Sequence, residues 1–264
     1  MRPKRLISLL VAVCMMITML PLSAVTAFAE DTSSSTGGTA SDGTDTYKYE
    51  YTVNDGNATI TKFLGPVDSK GNVDSTNHGP YKITIPTTLG GCPVTGLGDY
   101  SFAATSDDGS PCNQLCSNIL SVTIPQGVTS IGKKAFYDCK KLTTLVLGED
   151  IKTIGNYAFE CCTSLTGVTI PQSVTSIGYS AFEGCTDLDP LTIKGPITSM
   201  GYYAFAGCTS LTSLTLYPDI QTIGDYAFDN TSLETVTLPK NLTSIGTYAF
   251  ADCSQLKSIT IPEK

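Results

Sequence analysis

LTGVTIPQSVTSIGYSAFEGCTD, from Leu165 to Asp187, recurs with small changes along the second half of this chain. Equivalent starts fall at Ile119, Leu142, Leu165, Leu188, Leu211, Leu233 and Leu256, and every step is 23 residues except one of 22. Self-similarity at one fixed period marks a solenoid. Within the unit Val168 and Ile170 flank Thr169, an alternation of period two that predicts a short strand. A Pro or a substitute follows, then a second apolar pair (Val174 and Ile177), a Gly to bend the chain, the Ala181-Phe182 pair and a small or thiol residue such as Cys185. One unit should not fold alone. Five or six buried apolar side chains contribute roughly 1.5–3 kcal/mol each, whereas ordering the backbone costs roughly 1–2 kcal/mol per residue. Stacking supplies the remainder, with strands rising into a parallel sheet by roughly 4.8 Å per repeat.

The repeat occupies Ile119 to Lys264, more than half of the 264 residues. At the other end Arg2, Lys4 and Arg5 precede an uncharged, mostly apolar run from Leu6 to Leu22, and Ala27-Phe28-Ala29 supplies small residues for a signal peptidase. This pattern predicts a signal peptide over 1–29, cleaved after Ala29; a membrane anchor is the alternative, at the short limit for a span. Cleavage removes three basic residues and no acidic one, so the net charge moves from -8 to -11. Such a surface repels nucleic acid and anionic membranes, so neither a nucleic-acid partner nor membrane insertion after cleavage is expected.

Between these ends the composition shifts twice. Residues 30–46 are Ser, Thr, Gly and Asp with almost nothing apolar, which reads as a flexible linker. Residues 47–80 read as an N-terminal β cap, because YKYEYTV and ATITKF flank the turn Asn54-Asp55-Gly56-Asn57 and form a hairpin. Residues 81–118 form a degenerate first repeat: Ile83-Thr84-Ile85-Pro86 matches the strand, Val94 to Gly98 the second apolar pair, and Tyr100-Ser101-Phe102 the aromatic step. An insertion, Ala103 to Asn118, carries Cys112 and Cys116 and emerges either as a loop on a binding face or as a junction with the cap.

The pattern L-x-x-V-T-I-P-x-x-V-T-S-I-G-x-x-A-F-x-x-C-x-x resembles the 23-residue leucine-rich repeats of BspA-like surface proteins, the treponemal type. The resemblance covers Ile119 to Pro262 closely and Tyr81 to Phe102 with insertions. It implies a leucine-rich-repeat solenoid of stacked short parallel strands, with an irregular or short helical convex side behind the N-terminal hairpin cap. It also implies a bacterial secreted or cell-surface protein used in adhesion or recognition, without catalysis by the repeats. Lys194, Gly148 and Tyr217 depart from the strand-ending Pro, and one residue is missing near Asn230, where Cys is expected.

Catalytic and metal readings find little support in the sequence. The only histidine is His78, in the polar loop before the repeats, so a nucleophile-histidine pair has to be built there. Cys139, Cys162, Cys185, Cys208 and Cys253 recur at the repeat spacing and not as the close pairs of zinc sites. Stacked at the strand spacing they stand too far apart for disulfides and read as buried free thiols; a bridge among Cys92, Cys112 and Cys116 stays open. Glu160, Glu183 and Asp229 read as a solvated face. No enzyme, metal or cofactor is expected.

What remains is surface. One outward file on the strands holds Thr123, Val146, Thr169, Thr192, Thr215, Thr237 and Thr260, and beside it runs Ser121, Thr144, Gly167, Pro190, Ser213, Thr235 and Ser258. Thr is the ordinary residue of an exposed strand. Read functionally, Thr123, Thr144, Thr169, Thr192, Thr215, Thr237 and Thr260 form a shallow concave face that docks an extracellular protein or glycan, from host matrix or a neighbouring cell. Tyr100, Tyr157, Tyr203, Tyr226 and Tyr248 share a second column, with Tyr179 and Tyr202 adjacent, read mainly as shielding of the convex side or else as rings that bind partners or stack on sugars. The sequence therefore predicts a secreted, non-enzymatic recognition module. An accessory or spacer region of a larger surface hydrolase, with its catalytic domain outside this chain, is the alternative.

Overall fold

The computed structural model describes residues 28–29, 36–41, 46–74 and 76–261. The expected signal peptide therefore lies outside the described residues, apart from Phe28 and Ala29. Ahead of the repeats come β1 (Phe28–Ala29), β2 (Thr36–Ser41), β3 (Thr46–Asn54), β4 (Asn57–Pro66), β5 (Tyr81–Thr84), β6 (Thr88–Leu89) and β7 (Cys92–Leu97). The repeats follow as β8 (Ile119–Thr123), β9 (Ser130–Ile131), β10 (Thr144–Val146), β11 (Thr153–Ile154), β12 (Val168–Ile170), β13 (Ser176–Ile177), β14 (Leu191–Ile193), β15 (Ser199–Met200), β16 (Leu214–Leu216), β17 (Thr222–Ile223), β18 (Thr235–Thr237), β19 (Ser244–Ile245) and β20 (Ser258–Thr260). The only helical element among the described residues is a short 3-10 turn at Cys116–Asn118.

Each repeat thus contributes two strands, not one. The Val-Thr-Ile strands pair in parallel as β5-β8-β10, β12-β14-β16 and β18-β20. The second apolar pair builds its own parallel ladder through β7, β9, β11, β13 and β15, in the register Gly96, Ser130, Thr153, Ser176 and Ser199. A third set of bonds links successive turns. The Phe136, Phe159, Phe182 and Phe205 amides donate to the carbonyls of Ala158, Ala181, Ala204 and Ala227 at 2.7–2.8 Å.

Inside the coils the phenylalanines form one stack. Ring centroids of Phe102, Phe136, Phe159, Phe182, Phe205, Phe228 and Phe250 follow one another at 4.8 to 5.4 Å. Beside it the thiol column, buried except for half-buried Cys253, is hydrogen-bonded throughout: the Sγ–H of Cys139, Cys162, Cys185, Cys208 and Cys253 donates to Phe102, Phe136, Phe159, Phe182 and Phe228 carbonyls at 3.1–3.4 Å. Where the repeat is one residue short, Thr231 and not Asn230 takes the thiol position; it is buried and its hydroxyl donates to the Phe228 carbonyl at 3.1 Å. The lost residue falls in the turn that follows. Cys92, Cys112 and Cys116 are free thiols, so none of the three pairs considered is bridged.

One local expectation needs correction. Gly178 is required by close approach, not by a bend: a Cβ there would stand 2.5 Å from the Asn156 amide nitrogen of the preceding coil. Left-handed backbone falls on Gly184 and Gly207 and also on side-chain-bearing residues. Tyr100, Lys134, Tyr157, Ser180, Tyr203, Tyr226 and Tyr248 occupy one column with φ between 52° and 60°. Each costs about 1 kcal/mol, held in place because the turn-to-turn hydrogen bonds over-determine the backbone.

The hairpin of β3 and β4 closes the N-terminal end by joining the second ladder, since β4 pairs in parallel with β7. Its Phe63 ring stacks on Phe102 at 5.5 Å, and Tyr47, Tyr49 and Tyr51 are buried. The stretch read as a linker is not all free chain: Thr36–Ser41 adds to the edge of β3 and also pairs with Phe28–Ala29, because an unpaired strand edge accepts any backbone that can align with it. The insertion ties cap to repeats. Asn113 Nδ2 donates to the Phe63 carbonyl at 2.6 Å, and Asp107 pairs with Lys134 at 2.5 Å.

Candidate functional site

The expected threonine face is present but divided. Thr169, Thr192 and Thr215 align across β12, β14 and β16; Thr237 aligns with Thr260; and Thr123 aligns with Val146. Thr144 stands in the neighbouring file, opposite Ser121. All of these are exposed or half-exposed. No strand pairing joins β10 to β12 or β16 to β18, so the seven threonines sit on three separate blocks.

Both interruptions have local causes. At the first, Gly148 stands two residues beyond the end of β10 and Gly167 directly precedes β12, and glycine holds a strand weakly. The second coincides with the 22-residue step, from Leu211 to Leu233. There Leu214 and Leu216 are only half-buried, although their counterparts Leu191 and Ile193 are fully buried.

A cleft opens at each interruption. The first, of about 420 Å³, is lined by Val146, Glu149, Gly167, Thr169 and Pro190 among others. The second, of about 400 Å³, is lined by Leu214, Thr215, Leu216, Pro218, Thr237 and Lys240 among others. Hydroxyls, apolar side chains and a single charge of opposite sign therefore meet in each. No aromatic ring lines either cleft.

The turn side has different chemistry. Tyr203, Tyr226 and Tyr248 stack with centroids 4.8 and 5.1 Å apart, and Tyr179 stacks on Tyr202 at 5.3 Å. Tyr179, Tyr202, Tyr203 and Tyr248 remain exposed, so they do not behave as a sealed shield. Within the stacks the faces are turned to one another, which removes the flat surface a sugar ring needs. Glu160 also departs from the solvated reading. Half-buried beside Glu183, it is pushed up to about 7, first by desolvation and then by repulsion from Glu183, against the pull of Lys134. Only its place one residue beyond Phe159, next to an identical acid one coil on, hinted at this in the sequence.

His78 is exposed in its loop. Among the described residues no group of three or more His, Cys, Asp and Glu side chains is placed to hold a metal ion. Nor is any helix among them long and apolar enough to cross a membrane.

Residues 109–201 and 188–264 match the BspA type leucine-rich repeat region, in 6 copies. The chain belongs to that family. Its solved relatives share the architecture. A leucine-rich cell surface protein of Faecalibacterium prausnitzii is 34% identical with a TM-score of 0.63, over 84% of this chain and 54% of its own. The Treponema pallidum leucine-rich repeat protein is 26% identical with a TM-score of 0.64, over 79% and 87%. A Bacteroides ovatus leucine-rich repeat protein is 27% identical with a TM-score of 0.65, over 82% and 52%. This BspA-type chain therefore spans about half the length of the first and third. No curated protein is significantly similar to it.

Proposed function

We propose that this BspA-type chain is a non-catalytic recognition module, exported to the bacterial surface, whose strand face docks an extracellular protein. The observation that carries the reading is the pair of clefts at the ladder interruptions, each joining threonine hydroxyls, apolar side chains and one charge on a single face. Interfaces between proteins are built from such mixtures, with an apolar centre and a polar rim. Sugars are gripped largely by the faces of aromatic rings, which the clefts lack, so a protein partner fits better than a glycan. The absence of a role in catalysis is supported by the exposed position of His78 and by relatives described as leucine-rich repeat proteins. Export is supported by the basic and apolar start of the chain and by the cell-surface description of the Faecalibacterium relative.

The test replaces Thr169, Thr192 and Thr215 together by Glu and measures attachment to immobilised extracellular-matrix proteins and to mucin glycans. Attachment to a matrix protein should fall while far-UV circular dichroism stays unchanged. Unchanged attachment with the fold intact removes this face from the reading, and loss on mucin glycans alone transfers it to sugars.

A further inference from the structure

The two clefts on the strand face are alike in build and opposite in charge. Glu149 and Lys240 occupy the same place in the repeat, the eighth. The other units from Ile119 to Leu233 hold Gln126, Gln172, Gly195 and Pro218 there, so these two charges are the only ones in that column over six units. Both are exposed, and neither takes part in the three ion pairs among the described residues, Lys134 with Asp107, Lys140 with Asp138 and Lys257 with Glu234. Apolar side chains floor each cleft: Leu145, Leu147 and Val168, at most 9% exposed, in the first, and Leu238 with half-buried Leu214 and Leu216 in the second.

The spacing of the clefts selects the shape of what fills both. The first lies between the units that start at Leu142 and Leu165, the second between those that start at Leu211 and Leu233. They are thus three coil steps apart, roughly 14 Å at the strand spacing. An extended segment covers roughly 14 Å in four residues, and its side chains at i, i+2 and i+4 face the same way. The side chains at i and i+4 therefore reach both clefts, while the one at i+2 comes down on half-exposed Thr192, where a small group suffices. Glu149 and Lys240 stand four coil steps apart, roughly 19 Å, which six extended residues span. They consequently meet the residues flanking the two anchors. A helix fits less well, because it needs an unbroken apolar stripe, whereas Thr169, Thr192 and Thr215 lead from one cleft to the other. Those hydroxyls serve instead the unpaired amides and carbonyls of an extended backbone.

Building on the strand-face docking described above, we propose that the two clefts together receive one extended segment of the partner protein. It places an apolar side chain in each cleft, four residues apart, with a cation beside the anchor nearer Glu149 and a carboxylate beside the anchor nearer Lys240. The segment runs across the strands and not along them, so either chain direction satisfies the clefts. What is fixed is the spacing of the anchors and the sign of the charge at each end, which excludes partners carrying the wrong sign through repulsion.

The test is titration of the ¹⁵N-labelled chain with the peptide acetyl-Arg-Leu-Thr-Ser-Thr-Leu-Glu-amide, followed by NMR. Shifts should concentrate at Val146, Glu149, Thr169, Thr215 and Lys240, with a dissociation constant on the order of 0.1 to 1 mM. A peptide with its leucines three residues apart turns them to opposite faces and should bind at least tenfold more weakly. Lys240→Glu, an exposed change that leaves the fold alone, should weaken the first peptide about fivefold. A peptide with Arg in place of its Glu should recover that loss on the Lys240→Glu protein. No saturable binding, equal binding at the two leucine spacings, or a Lys240→Glu loss that the Arg peptide does not recover overturns the two-anchor ligand and leaves the recognition reading standing. Attachment to matrix proteins unmoved by the replacement of Thr169, Thr192 and Thr215 overturns the recognition reading and the two-anchor ligand with it.

Discussion

Replacing a phenylalanine of the stack should cost an amount set by its place in the array. Phe182 is fully buried, with rings at 5.0 and 5.2 Å on its two faces, whereas Phe250 is half-buried with one neighbour at 5.4 Å. Burial and cavity effects put a Phe182→Ala change at about 3–5 kcal/mol, within which each stacked pair accounts for about 0.5–1.5 kcal/mol. Phe250→Ala loses one pair instead of two and vacates less buried volume, so its cost should be about half. Guanidinium unfolding monitored by far-UV circular dichroism measures both. The central change should also broaden the transition, because it weakens two interfaces in the middle of a nearest-neighbour array. Equal costs for the two variants, or less than about 1 kcal/mol for Phe182→Ala, would refute the idea that the stack carries coil-to-coil coupling.

Four further outcomes are expected. Burial pushes the Cys208 thiol up to about 12 and Cys139, Cys162 and Cys185 upward as well, so iodoacetamide near pH 8 should tag exposed Cys112 first. Mass spectrometry should find the column labelled only after denaturation. Cys185→Ser should be tolerated within about 1 kcal/mol, as Thr231 already places a hydroxyl in that column, while Cys185→Val, with no donor and extra bulk, should cost about 1–3 kcal/mol in a melt. Gly178→Ala should destabilise by about 1–3 kcal/mol or more, because the new methyl meets backbone that cannot yield; a neutral effect in thermal unfolding would show that the coils can part. Finally, Glu160 carries a folded-state value of about 7 against an ordinary 4.5, so the folded state binds the extra proton between those limits. Stability should therefore be highest, for this group, below about pH 4.5 and decline as pH rises through about 7. Glu160→Gln should flatten that part of the stability–pH curve, and an unchanged slope in urea titrations would assign it to other groups.

The period made most of the fold legible before any coordinates. It placed Phe182 in the interior and Cys185 in a structural column, because a residue that recurs every coil must meet its own copy one strand spacing away. It was less informative wherever two neighbours differ. The Thr-Ser-Ile stretch alternates too briefly to announce a strand, yet Ser176 and Ile177 pair in register with both adjacent coils. The left-handed backbone of Tyr157 and Tyr203 was invisible, since glycine is the usual sign and the stacked turns hold tyrosine there instead. The threonine file could be listed from sequence, but its division could not. That depends on Gly148, Gly167 and one missing turn residue, which act on strand pairing and not on periodicity.

The three hydrogen-bonded ladders, the phenylalanine stack and the thiol column all repeat on the same interval, so most internal coils present to their neighbours what their neighbours present to them. A whole-unit duplication or deletion therefore preserves the interval, whereas a local departure from it, the glycines Gly148 and Gly167 or the residue lost between Thr231 and Leu233, coincides with a divided strand ladder and a cleft. Length in such proteins can drift freely by recombination in steps of one coil. New binding geometry arises where one coil departs from its neighbours.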